Sequence, residues 1–467
     1  MNPSPKIKLF GLILLVLIPA FYFRWLSFPF TQIYSDSLSP FVGGVQFFEQ
    51  GYAKPPNPEA DHWLWVSTIP FLSLAASLEE LFWFRYLGSV IIIPVSMISV
   101  YLLLLESRYR LFATAAVGSF LAVDAGILDT LISSFRGYFA PEYLAVAALG
   151  VALFQREKRW GLWIAILSSV LAGGQHPLAM GSFVGLGFLG VLVWRRSRRD
   201  FLIGVLIFLC CLIPKMLWIW QIMQCERGGL DCLQAIALSS SEEISIYQQI
   251  TRAYHDRFWV EMGFAGPFLF LGLWFSRKEP FTQWVLVSML GVLMLGILIS
   301  TLRPYHFRAL AAPMVIASVL GWVRMIKTFL FIAPLWGGFL AFFPPKPVAW
   351  KNNVSIHDQL ADVFCGISDP FWVEGYQAED LDISLQGIAI SYWLKGCDIE
   401  KIESQAGDLI FLVGDKGLNF PIYFQNQSVV IYQLRSSQKL QLLEQEKRVQ
   451  GYDFSVLFVP EEMIILH

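Results

Sequence analysis

Arg303-Pro304-Tyr305-His306-Phe307-Arg308 gathers three cationic or titratable side chains where a long apolar run begins. A guanidinium presents a planar fork of donors that matches phosphate oxygens. The run therefore reads as an anion site. Arg85, Arg136 and His176 lie at or near other segments expected on the same side of a membrane. Lys215, beside Pro214 in an apolar run, is placed to meet a lipid phosphate from within. Taken singly, each cation also fits a side chain snorkelling to the headgroups. His176, directly before Pro177 in a loop, fits a structural role better than a binding one.

The leading carboxylate is Asp36, in Tyr34-Ser35-Asp36-Ser37. Behind it, Phe41–Gly51 reads as a short amphipathic helix with a Gly stop. Asp36 can cap that helix. It can also act as a general base toward an attacking hydroxyl. The two roles are compatible, and the residues alone do not separate them. Glu49, Glu59, Asp61 and His62 follow in the same segment as rivals or acceptor-binding groups; Asp124 and Asp129 are further candidates. The chain has no P-loop, no H-E-x-x-H and no G-x-S-x-G motif. No metal site is implied, and Cys225, Cys232, Cys365 and Cys397 lack zinc spacing.

The elements that would position these groups are membrane spans. The 467 residues are 56% hydrophobic and 15% charged, with a mean hydropathy of +0.55. Soluble domains carry about 25% charged residues. Apolar runs predict eleven spans, near Leu9–Trp25, Tyr86–Leu105, Leu111–Ile127, Ala140–Phe154, Trp160–Ala172, Leu178–Trp194, Phe201–Trp220, Met262–Phe275, Trp284–Leu302, Ala309–Val323 and Phe329–Phe343. Trp63–Ser77 is a shorter apolar stretch suited to an interfacial helix. The net charge of −2 points to no nucleic-acid partner.

Basic clusters fall on alternate loops: Lys6 and Lys8; Arg108 and Arg110; Arg156 to Arg159; Arg195 to Arg199; Arg277 and Lys278; Arg324 and Lys327. The positive-inside rule then places the N-terminus in the cytoplasm. The first span reads as an uncleaved anchor. The expected organisation is a multi-spanning domain over residues 1–343, with a long first outer loop at 26–85. A soluble α/β domain follows at 344–467, outside the membrane because the span count is odd. Cys225 with Cys232, and Cys365 with Cys397, are the expected disulfides on that oxidising side; free thiols are the alternative. In the tail, strands are expected at Leu409–Val413, Ile422–Gln425, Val429–Leu434 and Ser455–Val459, with helices at Leu385–Leu394 and Ser436–Val449.

The order of these features resembles the GT-C superfamily of integral membrane glycosyltransferases. "DSLSPFVGGVQFFEQG" resembles the family's first outer loop, which opens on an acidic residue or pair and continues into a helix ending in Gly. "LEELFWFRYLGSVI" resembles the next element, where an Arg begins the second span. "RPYHFRALAAPM" resembles the late segment before a Pro-containing span, and "LQGIAISYWLKGCDIEKIESQAGDLIFLVG" with "FPIYFQ" resembles the outer tail of bacterial relatives of protein mannosyltransferases. The resemblance implies a polytopic α-helical membrane enzyme, in a bacterial inner or plasma membrane. Its implied activity is inverting transfer of a hexosyl or pentosyl unit. The donor would be a polyprenyl-phosphate-linked sugar and the acceptor a glycan, lipid or protein. Here Ser37 follows Asp36 where the family often has a second acid, so no substrate-bound divalent metal is argued from the one carboxylate. That departure keeps a non-catalytic reading in play, as a transporter or envelope-complex subunit. An O-antigen polymerase or ligase is a further alternative, since those proteins also use outer-loop Arg and His with lipid-linked sugars.

Overall fold

The structure, a computed structural model, describes residues 5–27, 41, 45, 71–123, 140–175, 177–223, 265–298, 309–325, 353–375, 385–401, 409–414, 421–425 and 429–435. It is mostly helical, with one small sheet. The helices are α1 (Pro5–Ser27), α2 (Leu78–Leu103), α3 (Arg110–Val123), α4 (Ala140–Gln155), α5 (Trp160–Gln175), α6 (Ser182–Arg196), α7 (Arg198–Met223), α8 (Ala265–Ser276), α9 (Pro280–Leu298), α10 (Ala311–Met325), α11 (Asn353–Cys365) and α12 (Leu385–Leu394). The strands are β1 (Trp372–Gly375), β2 (Leu409–Gly414), β3 (Ile422–Gln425) and β4 (Val430–Arg435).

Each apolar run expected as a span between Leu9 and Val323 overlaps one of the helices α1 to α10, with residues 124–127, 262–264 and 299–302 of those runs outside the described residues. The last expected span, Phe329–Phe343, lies outside the described residues. By length and composition, three described helical stretches can cross a membrane: Pro5–Tyr22, Leu78–Leu103 and Pro280–Ile297. Other apolar helices are shorter, including Ala140–Gln155 and Ala311–Arg324. A perpendicular crossing takes about 20 residues.

The chain divides into two compact units. One joins Met1–Phe28 to Arg85–Val348; the other joins Pro29–Phe84 to Ala349–His467. In the first unit, small residues let backbones meet. A Cβ on Gly150 of α4 would stand 2.5 Å from the Ala165 nitrogen of α5, and one on Gly161 would stand 2.5 Å from the Gly150 carbonyl. Gly272 of α8 is likewise pressed against Ser318 and Gly321 of α10. Hydroxyls tie the same helices: Ser276 Oγ donates to the Ala317 carbonyl at 2.8 Å, and Ser318 Oγ to the Leu269 carbonyl at 2.8 Å. Between apolar helices, hydrophobic burial discriminates little, so close packing and such bonds fix the partners.

The turns carrying basic clusters come together. Arg156, after α4, donates from Nε to the Leu102 carbonyl at 2.7 Å and from Nη2 to the Leu103 carbonyl at 3.1 Å. Its Nη1 reaches Glu106 at 3.1 Å. These bonds satisfy carbonyls left open at the end of α2. Glu157 binds Arg196 at 2.6 Å, and Arg159 lies 3.5 Å from Asp200. Arg324 pairs with Glu279.

In the second unit the sheet order is β1-β2-β4-β3. β1 runs parallel to β2, with Trp372 opposite Ile410; β2–β4 and β4–β3 are antiparallel. A parallel pair needs a crossover, and α12 lies within it. Phe364, Phe371 and Phe411 form the core, with ring centroids 5.7–5.8 Å apart. All three are buried, as are Tyr392 and Tyr432. The expected helix Leu385–Leu394 and strand Ile422–Gln425 are observed with those bounds. The other two described strands, β2 and β4, lie within one residue of expectation. α11 and β1 are additional. Ser436–Val449 and Ser455–Val459 lie outside the described residues.

Candidate functional site

Asp36, Glu49, Asp61, His62, Arg136, His176, Arg303, His306 and Arg308 lie outside the described residues, as do Cys225 and Cys232. Arg85 and Lys215 fall within helices, in α2 and α7 respectively. Cys365 and Cys397 form a disulfide with Cα atoms 5.4 Å apart.

The start of α2 is the most fully built polar arrangement near a candidate residue. The helix begins at Leu78, earlier than the expected Tyr86, so Arg85 stands two turns inside it. Ser77 and Glu80 form an S-x-x-E capping arrangement. The Glu80 amide donates to Ser77 Oγ at 3.2 Å, and Glu80 Oε2 accepts from the Ala76 amide at 2.6 Å. The Leu81 amide donates to the Ser77 carbonyl at 3.3 Å. The two remaining first-turn amides go to Asp358 of α11. Leu78 donates to Oδ1 at 3.1 Å, and Glu79 to Oδ2 at 3.2 Å. Buried Ser391 of α12 donates its hydroxyl to the same Oδ1.

The chemistry of this cluster is positional. Both Asp358 oxygens accept bonds, so its carboxylate satisfies helix donors and complements the positive end of the dipole. Glu79 and Glu80 add negative charge in the same turn. Among the described residues no group of His, Cys, Asp and Glu gathers as a metal site. The Ser77–Glu80 spacing was available in the sequence as a helix-start signal; Asp358 carried none, because its partner is 280 residues away.

The rest of the tail is held by similar means. Lys395 pairs with Asp362. Tyr392 donates to the Asp398 carbonyl at 2.7 Å. Burial, and secondarily the Asp398 charge, pushes the Tyr392 phenol up to about 12.

One glycine string asks for a separate reading. Gly185-Leu186-Gly187-Phe188-Leu189-Gly190 has G-x-G-x-x-G spacing. A dinucleotide site needs that string in a strand-to-helix turn. Here it lies inside α6, where Gly185 is pressed against Ser288 and Trp284 of α9. Gly185 serves helix packing, while a Cβ on Gly187 would meet nothing within 4 Å. No protein-family model matches the chain, and no curated protein matches it.

Proposed function

We propose that the chain is an integral membrane glycosyltransferase of the GT-C kind, with about eleven spans and an extracytoplasmic α/β tail. It transfers a sugar from a polyprenyl-phosphate carrier to an acceptor hydroxyl on the outer face. The observation that carries this reading is the position of Asp36. It follows the first apolar helix by less than ten residues, close to the plane where a lipid phosphate sits, and precedes a stretch with helix-and-Gly-stop character. Support also comes from the basic turns, which ion pairs bring together, as expected of one cytoplasmic end.

In the reaction, the acceptor oxygen attacks the anomeric carbon from the face opposite the phosphate. Asp36 takes the hydroxyl proton as the new carbon–oxygen bond forms. The bond from the anomeric carbon to the phosphate oxygen breaks, and polyprenyl phosphate leaves with the electron pair. Arg303, His306 and Arg308 stabilise its growing charge, with Arg85, Arg136 and Lys215 as further donors. Loss of the second acid at Ser37 favours a second reading, a non-catalytic member that binds the lipid-linked sugar without transferring it.

Asp36→Asn separates the two. It nearly preserves shape and removes the charge. A positioned base contributes about 10²–10⁴ in rate. Under the transferase reading the variant inserts normally, binds donor and loses transfer by that factor. Transfer at the native rate makes Asp36 a helix cap. Donor binding without transfer in the native chain supports the non-catalytic member.

A further inference from the structure

We propose that the end of the helical unit formed by the 104–110, 156–159, 195–200 and 276–280 turns is a docking surface for anionic phospholipid headgroups. The proposal rests on the membrane reading and is independent of the transferase chemistry. The Glu106–Arg156, Glu157–Arg196 and Asp200–Arg159 pairs draw the first three turns together. α6 and α9 pack antiparallel, with Gly181 against Gly291 and Gly185 against Trp284. That pairing carries the Arg196 end of α6 toward the Pro280 start of α9.

The carboxylates of this end are already engaged. Glu106, Glu157 and Asp200 are in the pairs just named, and Glu279 holds Arg324. Seven exposed cations are left without a carboxylate partner among the described residues: Arg108, Lys158, Arg195, Arg198, Arg199, Arg277 and Lys278. The surplus is single-signed and concentrated on one surface.

The occupant is argued from what stands beside the charge. Arg108 lies over the Tyr109 ring at 4.9 Å, Arg198 over Trp194 at 5.2 Å and Arg277 over Trp274 at 4.2 Å. Trp194 is 45% exposed, Trp274 61% and Leu202, one turn beyond Arg198, 61%. A free phosphate or an acidic soluble protein would use the cations alone and not the indoles and Leu202, which stand at the ends of the expected spans Leu178–Trp194, Met262–Phe275 and Phe201–Trp220. An anionic phospholipid uses both, placing its phosphate on the guanidinium and its acyl chains against the apolar side chains. Aromatic belts with adjacent basic residues mark the bilayer boundary for this reason.

The test uses the full chain reconstituted in phosphatidylcholine bilayers with trace spin-labelled lipid. The motionally restricted fraction is compared for phosphatidylglycerol and phosphatidylcholine. The native chain is expected to favour phosphatidylglycerol by roughly two- to fivefold at low salt, with the preference fading as salt screens it. R195Q/R198Q/R199Q should lose most of that preference, while R195K/R198K/R199K should keep it. Equal restricted fractions in the native chain would overturn the proposal, leaving a solvated charged face. Retained preference in the Gln variant would also overturn it. Displacement of the lipid by excess inorganic phosphate would mark a free-phosphate site, and displacement by polyglutamate an acidic protein surface; either result counts against the lipid. A chain that washes out of the bilayer with carbonate would fail the membrane reading itself, a distinguishable outcome.

Discussion

Asp358 closes the N-terminus of α2: its Oδ1 accepts from the Leu78 amide at 3.1 Å across 280 residues of sequence. The Glu79 amide and the Ser391 hydroxyl bind the same carboxylate. The start of α2 and α12 therefore share one acceptor on α11. Asp358→Ala should cost about 1–2 kcal/mol, the usual range for a lost N-cap. The specific readout is amide exchange, which should accelerate at Leu78 and Glu79. Ser391→Ala should have a smaller effect, because Asp358 keeps both amides. Unchanged exchange at Leu78 in Asp358→Ala would show that Ser77 and Glu80 cap the helix unaided.

The disulfide acts on the same two helices. Cys365 ends α11 and Cys397 follows α12, 32 residues apart in sequence. In the chain-entropy model, closing a loop of that length restricts the unfolded state by about 4 kcal/mol. Replacing both cysteines by Ser should lower the stability of the tail by up to that amount. It should also loosen the packing that presents Asp358 to Leu78. Peptide mapping without reductant should recover Cys365 and Cys397 as one linked species. Recovery of both as alkylated thiols from the oxidised protein would contradict the bond.

What the sequence made readable was local. Ile422–Gln425 and Leu385–Leu394 are bounded by turn residues and carry their preferences within a few positions. α11 is harder to read, because His357, Asp358 and Asp362 interrupt its apolar residues. Its buried Ile356, Leu360 and Phe364 recur every fourth residue, a helical face visible once its bounds are known. β1 is four residues long and ends in Glu-Gly, too short to show alternation. The expected span begins at Tyr86, two turns inside α2, because Glu79 and Glu80 interrupt the apolar run, although they suit a first helical turn. Asp358 carries no local signal, since its function depends on an amide brought near by folding. Of the proposed site, the structure places Arg85 and Lys215 on helices and joins Cys365 to Cys397; Asp36 and the Arg303–Arg308 run lie outside the described residues.

Tyr392 supplies a pH-dependent test of the tail. Its phenol is buried, and its pKa rises from the usual 10 to about 12, chiefly through burial and secondarily through Asp398. The folded state therefore favours the neutral phenol. The stability it contributes is present below pH 10 and is lost as pH rises toward 12. Between those values, native Tyr392 should release its proton on unfolding, seen as phenolate absorbance that coincides with loss of tail structure. Tyr392→Phe should remove that share of the pH dependence. It should also lose the bond to the Asp398 carbonyl, lowering stability at neutral pH. A stability profile with the same slope above pH 10 in both proteins would assign the transition to other groups.

Two glycines of the helical unit make opposite predictions for one substitution. A Cβ on Gly150 would stand 2.5 Å from the Ala165 backbone nitrogen and 2.6 Å from the Gly161 carbonyl. Both obstacles are backbone, so a methyl group can be admitted only by moving α4 away from α5. A Cβ on Gly187 of α6 would meet nothing within 4 Å. There Ala gains helix propensity, about 1 kcal/mol over Gly in an exposed helix interior. Gly187→Ala should therefore be neutral or slightly stabilising. Gly150→Ala should cost about 1–3 kcal/mol, the usual penalty of overpacking. Thermal stability in detergent, read by size-exclusion after heating, compares them directly. Equal melting of the two variants would mean that α4 and α5 stand farther apart than the Gly150–Gly161 contact requires. A second substitution at the same seam, Gly161→Ala, should reproduce the loss, because its Cβ would meet the Gly150 carbonyl from the other side.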